Sequence, residues 1–236
     1  MVAIMAFRSS SSWPVEQLRQ ETTSAIFRDA ATGGWTAERA ALHEKIINRL
    51  LAGKRREASP RIWVVMGGVG SGKSTFIKSK LTPEHPGAVV IDADQIWVEI
   101  PEYEALAAAD WRTAGDRSYA EVRSLRDAAL AEAAARRLDI ILEINGDENS
   151  DEVANILARD GYEVSVICVD CPEEQARERM QERANSEPTP EGNLWCSPPR
   201  PEFPDKYDYQ DVDPEIFRQE YAKRKGRAQS SDEGLR

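Results

Sequence analysis

The stretch from Ile62 to Thr75 leaves little freedom to the fold around it. Ile62, Trp63, Val64, Val65 and Met66 form a short apolar, β-branched run. A strand buried on both faces has that composition. Gly67, Gly68, Val69, Gly70, Ser71, Gly72, Lys73, Ser74 and Thr75 follow. From Gly67 to Ser74 they satisfy G-x-x-x-x-G-K-[ST], the P-loop pattern. Glycine reaches backbone angles closed to other residues and lets a phosphate approach the main chain. Successive N–H groups form an anion nest, and the helix that follows turns its positive end toward the same phosphates. Lys73 supplies a mobile positive charge for the β- and γ-phosphates, and the Ser74 hydroxyl suits Mg2+. Residues Gly67 to Thr75 are therefore expected to bind a nucleoside triphosphate, ATP or GTP, with Mg2+.

Strands and helices alternate along the rest of the chain. Ala88–Ile91, Asp139–Glu143 and Glu163–Val169 read as three further buried strands. Helices are expected at Pro14–Asp29, Thr36–Leu51, Asp116–Arg137, Ser150–Arg159, Pro172–Asn185 and Pro214–Arg224. Thr36 and Ser150 are natural N-caps, and Gly53 and Gly161 natural stops. The segment after Asp94, with Pro101, reads as polar connection. This rhythm predicts an α/β chain: a P-loop NTPase three-layer fold, with a mostly parallel sheet and helices on both faces. The expected divisions are an N-terminal helical segment packed on the core (1–58), a P-loop kinase domain (59–225) and a flexible tail (226–236). Residues 186–204 are dense in proline and are expected to lack regular structure.

Charge narrows the partners. A formal net charge of −10 argues against nucleic acid and against anionic membrane surfaces. No apolar run approaches ~18 residues, so no membrane span is expected. The N-terminus lacks a signal-peptide pattern, and the three scattered cysteines imply no disulfide framework. A cytoplasmic setting follows as the expectation. Cys168 and Cys171 stand in C-x-x-C spacing at the end of a strand and are expected to be buried strand cysteines.

The acids narrow the chemistry. Guanine-nucleotide switches carry D-x-x-G and N-K-x-D segments, and neither occurs here. The strand ending in Asp92 and Asp94 comes soon after the P-loop helix, a position that suits a small-molecule kinase. Carboxyl ends of parallel strands open onto one edge of the sheet, where ligands bind. Asp92, Asp94 and Glu143 all sit at such ends. Asp94 is the expected base toward an acceptor hydroxyl, with Asp92 closer to the strand and turned toward the sheet edge or the P-loop. One arginine among Arg177, Arg179 and Arg183 is expected to reach back over the phosphates. His43 and His85 have no nucleophile motif beside them, which argues against a Ser–His–Asp hydrolase.

Taken together, these stretches resemble the zeta-toxin family of P-loop kinases. The resemblance rests on Trp35, Thr36, Glu38, Arg39, Leu42 and His43; on the P-loop; and on Val90-Ile91-Asp92-Ala93-Asp94 with Ile100-Pro101-Glu102-Tyr103. It continues through Ile141-Leu142-Glu143 with Asn145, Gly161 to Pro172, and Glu182-Arg183, covering roughly Gly34 to Ala184. It implies phosphorylation of a hydroxyl at the expense of ATP or GTP. In the best-known members the acceptor is the 3′-hydroxyl of the sugar in UDP-N-acetylglucosamine. Carried over, Lys73 binds phosphates, Asp94 is the base and Arg183 neutralises phosphate charge. Asp127, Glu143 and Asn145 fall on the sugar-nucleotide side with Asp92. The family also implies a small antitoxin that covers the ATP cleft, a role the helix near Pro14 could fill in cis.

The pattern departs from the family in places. Asp147 stands where a basic residue often follows the strand, Asn145 where threonine is frequent, and a second catalytic arginine has only Arg200 as counterpart. These departures leave open another acceptor, such as a ribose hydroxyl of a dinucleotide, and a non-catalytic nucleotide-binding module.

Overall fold

The computed structural model describes residues 21–145, 148–185 and 213–233, with side chains for all of these but 109–113, 148, 183–185 and 228–233. Helices α1 (Thr23–Phe27) and α2 (Ala37–Leu50) precede strand β1 (Arg61–Met66). After the glycine loop come α3 (Lys73–Phe76), a π-helical turn Ile77–Leu81 and a last turn Thr82–Glu84. Then follow β2 (Val89–Ile91), α4 (Ala93–Trp97), α5 (Tyr103–Ala135), β3 (Ile140–Ile144), α6 (Glu148–Arg159), β4 (Glu163–Cys168), α7 (Glu173–Asn185) and α8 (Pro214–Glu233).

The four strands lie in the order β2-β3-β1-β4, and every pairing is parallel. Val64 sits opposite Leu142 on one side and Val166 on the other. Alternate residues of β1 feed two cores, as the two-residue pleat requires. Ile62 and Val64 join the larger one with Ile140, Leu142, Leu130 and Phe217. Trp63 and Val65 join the smaller one with Ile77, Leu81 and Ile141. A strand with both faces covered has no place for polar residues, which is why β1 reads as an unbroken apolar run. The P-loop leaves the carboxyl end of β1, between β3 and β4, where connections depart to opposite sides.

Four elements differ from the sequence reading. Helix α5 begins at Tyr103 and runs for 33 residues. Pro101 lies just ahead of its first turn, where a missing N–H costs little, and Ala105, Ala107 and Ala108 favour helix. Helix α4 was not expected; Asp92 caps it by accepting the Asp94 N–H at 2.9 Å. The helix expected at 14–29 is confined, among the described residues, to α1, capped by Thr22. Helix α8 passes through Gly226 to Glu233, although 226–236 read as tail. A single interior glycine costs only ~1 kcal/mol in a helix.

Cys168 is exposed rather than buried, because β4 is the outermost strand of the described sheet and its covering is partial. Residues 186–212, with Trp195, Cys196 and Arg200, lie outside the described residues. No described helix is long and apolar enough to cross a membrane.

Buried charges tie α2 to α5. Arg39 donates to both oxygens of Glu102 at 2.8 Å and to Glu121 at 2.5 and 2.9 Å. His43 Nε2 meets Glu121 Oε1 at 2.6 Å. Burial raises the Glu121 carboxyl, but the His43 and Arg39 hydrogen bonds outweigh it and hold the group down at about 2. At the far end of α5, Arg224 of α8 bridges Glu44 of α2 and Glu132 of α5. These contacts fix the long helix against α2 and α8, and its middle forms one wall of the cleft described next.

Candidate active site

One cleft opens at the carboxyl ends of β1, β2 and β3. Val69, Gly70, Gly72, Lys73 and Ser74 line one side, and Asp92, Ala93, Asp94 and Trp97 another. Tyr119 and Arg126 of α5 form the wall facing away from the loop, and Glu143, Ile144 and Asn145 form the floor. The glycine loop is shaped by contacts that forbid side chains. Gly70 has φ +80°, and a Cβ there would sit 2.7 Å from the Ala176 carbonyl oxygen. A Cβ on Gly67 would meet the Val169 carbonyl oxygen at 2.1 Å. The loop is thus wedged against the β4–α7 connection.

Lys73 is buried and folds back over the loop. Its Nζ donates to the Gly67 carbonyl at 2.6 Å, the Gly68 carbonyl at 3.1 Å and Asn145 Oδ1 at 3.1 Å. The ammonium is thereby held at the mouth of the nest. Arg179 of α7 donates to the Gly70 and Ser71 carbonyls at 3.0 and 3.3 Å, placing its charge on the loop's outer side. Arg177 instead pairs with Glu173 on the helix surface. The Arg183 side chain lies outside the described residues. Ser71 is buried and its Oγ has no hydrogen-bond partner among the described residues; Thr75 is exposed.

Three carboxyl groups converge opposite Lys73. Asp92 is buried, and desolvation raises its carboxyl against the opposing pull of Lys78 and Lys73. Glu143 is pushed up to about 7 by burial and then by the charge of Asp92, with Asp94 adding to the effect. Like charges crowded in a poorly solvated cleft cannot all stay ionised without cations. Asp94, in the first turn of α4, lines the cleft and is less buried than Asp92. The structure therefore brings together Lys73, Ser74, Asp92, Asp94, Glu143 and Asn145.

The oxygen donors fit Mg2+. Ser74 Oγ donates its hydrogen to Glu143 Oε1 at 3.1 Å, which leaves the hydroxyl lone pairs for a cation. Glu143 Oε2 is buried without a hydrogen-bond partner among the described residues. No cluster of three or more His, Cys, Asp or Glu side chains that could cage a metal occurs among the described residues. Mg2+ commonly takes only one or two protein oxygens beside phosphates and water, so Ser74 with one carboxylate suffices.

Asp127 requires a correction. The family resemblance set it on the sugar-nucleotide side, but it is 1% exposed and does not line the cleft. It accepts from Arg126 Nε at 3.1 Å and Nη2 at 2.9 Å, and from the Asp213 N–H at 3.4 Å. Successive helical residues point about 100° apart, so Arg126 and not Asp127 faces the cleft. Arg126, Tyr119 and Trp97 were missed by the sequence reading. The spacing of seven between Tyr119 and Arg126 places them on one helical face, a signal that needed the helix direction to be useful.

The zeta-toxin family model matches residues 47–201, a span that holds every cleft residue named above. No curated protein matches the chain. Solved structures share its fold. One from the PezAT chromosomal toxin–antitoxin system of Streptococcus pneumoniae superposes with a TM-score of 0.53 at 20% identity, over 63% of this chain and 64% of that one. The AvrRxo1-ORF1:AvrRxo1-ORF2 structure with sulphate ions gives 0.51 at 16% identity, over 74% and 61%. The AvrRxo1-ORF1:-ORF2 structure with ATP gives 0.52 at 17%, over 78% and 63%. The chain thus spans just under two thirds of the length of these structures.

Proposed function

The chain belongs to the zeta-toxin family, and from that premise we propose that it is a phosphotransferase moving the γ-phosphoryl group of ATP to a sugar hydroxyl of a nucleotide-bearing acceptor. The observation that carries this reading is one cleft in which Lys73 and Ser74 of the glycine loop face Asp94 and Glu143. The ATP-bound AvrRxo1-ORF1:-ORF2 structure supports the choice of nucleotide. UDP-N-acetylglucosamine is the first acceptor to try, and the ribose hydroxyl of a dinucleotide the second.

The residues divide the work as follows. Mg2+ and ATP, when bound, supply the phosphoryl group and the neutralisation of its charge; Ser74 and Glu143 are the residues that would hold the ion. Lys73, held at the loop by the Gly67 and Gly68 carbonyls, is the residue whose ammonium would bind the phosphates. The Asp94 carboxylate accepts the acceptor hydroxyl proton as the new O–P bond forms and the bond between the β–γ bridging oxygen and the γ-phosphorus breaks, releasing ADP. Arg179 lies close enough to the loop to offset charge on the transferring group. Arg183 keeps the same candidate role.

An antitoxin partner goes with the reading. It is supported by the toxin–antitoxin system named for the Streptococcus pneumoniae structure.

The test is a coupled assay of ADP release, with mass spectrometry of the acceptor. ATP with UDP-N-acetylglucosamine is expected to yield a phosphorylated sugar nucleotide. Asp94→Asn is expected to lower that rate ~10²–10⁴-fold while nucleotide affinity holds. Equal rates in parent and variant would remove Asp94 from the mechanism. ATP binding with no transfer to any hydroxyl of a metabolite library would refute the kinase reading.

A further inference from the structure

Arg126 is 5% exposed, yet it lines the cleft. Among the described residues its hydrogen-bond acceptor is a single carboxylate oxygen, Asp127 Oδ1, which takes both Nε and Nη2. A guanidinium has five N–H donors in a rigid fork. Most of that fork is therefore unspent by Asp127, on a side chain that is nearly all buried. No Arg126 nitrogen is both buried and unpartnered among the described residues, so its remaining donors open onto the cleft, where a ligand meets them. The other oxygen of Asp127 accepts the Asp213 N–H at 3.4 Å, at the start of α8.

Charge decides what fills this end. Asp92, Asp94 and Glu143 gather on the side next to the loop and repel a second anion there. Lys73 and Arg179 sit against the glycine loop, on the nucleotide side of the cleft. On α5, Arg126 is the basic side chain that lines the cleft, and it is paired there with the buried Asp127. A planar guanidinium presented to a cleft suits phosphate, which it can bind with two parallel N–H bonds.

We infer that Arg126, oriented by Asp127, binds an anionic phosphate-type group of the acceptor and is a specificity determinant of this enzyme. The acceptor then carries two handles, a hydroxyl directed to Asp94 and a phosphate directed to α5. Neutral sugars, which offer only the first, are poor acceptors. Asp127 is a positioning residue, linking α8 to the acceptor end of the cleft. The inference rests on the phosphotransferase reading only for the word acceptor; the anion subsite itself is testable by binding.

The experiment loads the protein with Mg2+ and a non-hydrolysable ATP analogue, so that the loop is filled. Three phosphate-bearing probes are then titrated by calorimetry: UDP-N-acetylglucosamine, a dinucleotide and a hexose 1-phosphate. N-acetylglucosamine and free hexose serve as their neutral counterparts. At least one phosphate-bearing probe is expected to bind tenfold or more tighter than its neutral counterpart. Arg126→Gln is expected to abolish that preference, and Arg126→Lys to restore part of it, since a point charge replaces the fork. Melting curves of the loaded variants establish that both are folded. Asp127→Asn is expected to weaken the same probe severalfold. Transfer assays on the same panel should show the loss in KM more than in kcat. No preference for phosphate in the parent, or an unchanged preference in Arg126→Gln, overturns the inference. Absence of transfer with a phosphate preference that depends on Arg126 would sink the kinase reading and leave the subsite standing.

Discussion

At Gly70 one methyl group decides whether the nucleotide loop can exist. The residue has φ +80°, and its would-be Cβ lies 2.7 Å from a backbone oxygen in α7, which cannot yield as a flexible side chain would. Gly70→Ala is therefore expected to push the loop off the first turn of α7 and to weaken ATP binding at least about tenfold, or ~1.4 kcal/mol, by calorimetry. Unchanged affinity would show that the loop is set by something other than this contact. The motif itself was plain in the linear chain, because G-x-x-x-x-G-K-[ST] is a spacing constraint within one turn. The obstacle was not legible, since Ala176 is far away in sequence and meets Gly70 only after β4 has paired with β1. Asp127 failed for a similar reason. Its position on α5 is correct, but a rotation of one residue turns the carboxylate into the interior and sends Arg126 to the cleft.

The helices owe their placement to long-range pairs. Glu121 on α5 is held at about 2 against an ordinary 4.5, because its bonds to His43 and Arg39 outweigh the cost of burial. A carboxyl whose folded value lies below its unfolded one stabilises the fold above pH 4.5, and that contribution fades as pH falls toward 2. The shift corresponds to ~3 kcal/mol at neutral pH. Urea titrations from pH 7 to pH 3 should show a steep loss below pH 4.5 in the parent and a shallower one in Glu121→Gln; parallel slopes would remove Glu121 as the cause. Helix α8 offers a second check. Phe217 is fully buried and stacks on Tyr221 at 5.4 Å between ring centres. Phe217→Ala is expected to cost ~3–5 kcal/mol in denaturant unfolding. A loss below 1 kcal/mol would mean that α8 is not part of the cooperative core. The sequence pattern found the existence of these helices through period and caps. It misjudged where α5 and α8 begin or end, because Pro101 and Gly226 are breakers only in positions where the backbone needs what they lack.

For the whole molecule, the cleft joins elements from three separate strand ends to one wall of α5, so filling it should stiffen the fold. Binding to the folded state alone stabilises by ~2.7 kcal/mol at a ligand concentration a hundred times Kd. For a chain of this size that is a rise in Tm of about 5–10 °C with ATP and Mg2+, largely lost on chelating the metal. No rise at saturating nucleotide would exclude the cleft as a nucleotide site. The alternation of apolar runs with amphipathic segments was enough to determine a parallel α/β sheet with a phosphate nest at the end of β1, because burial on both faces and the glycine spacing are local, periodic demands. The tertiary structure alone decided which charges meet: that Asn145 braces Lys73, that Arg179 rather than Arg177 touches the loop, and that Arg126 looks into the cleft over a buried Asp127. Those outcomes depend on rotations and packing between distant segments, where energies of a few kcal/mol are set by neighbours that no linear spacing records.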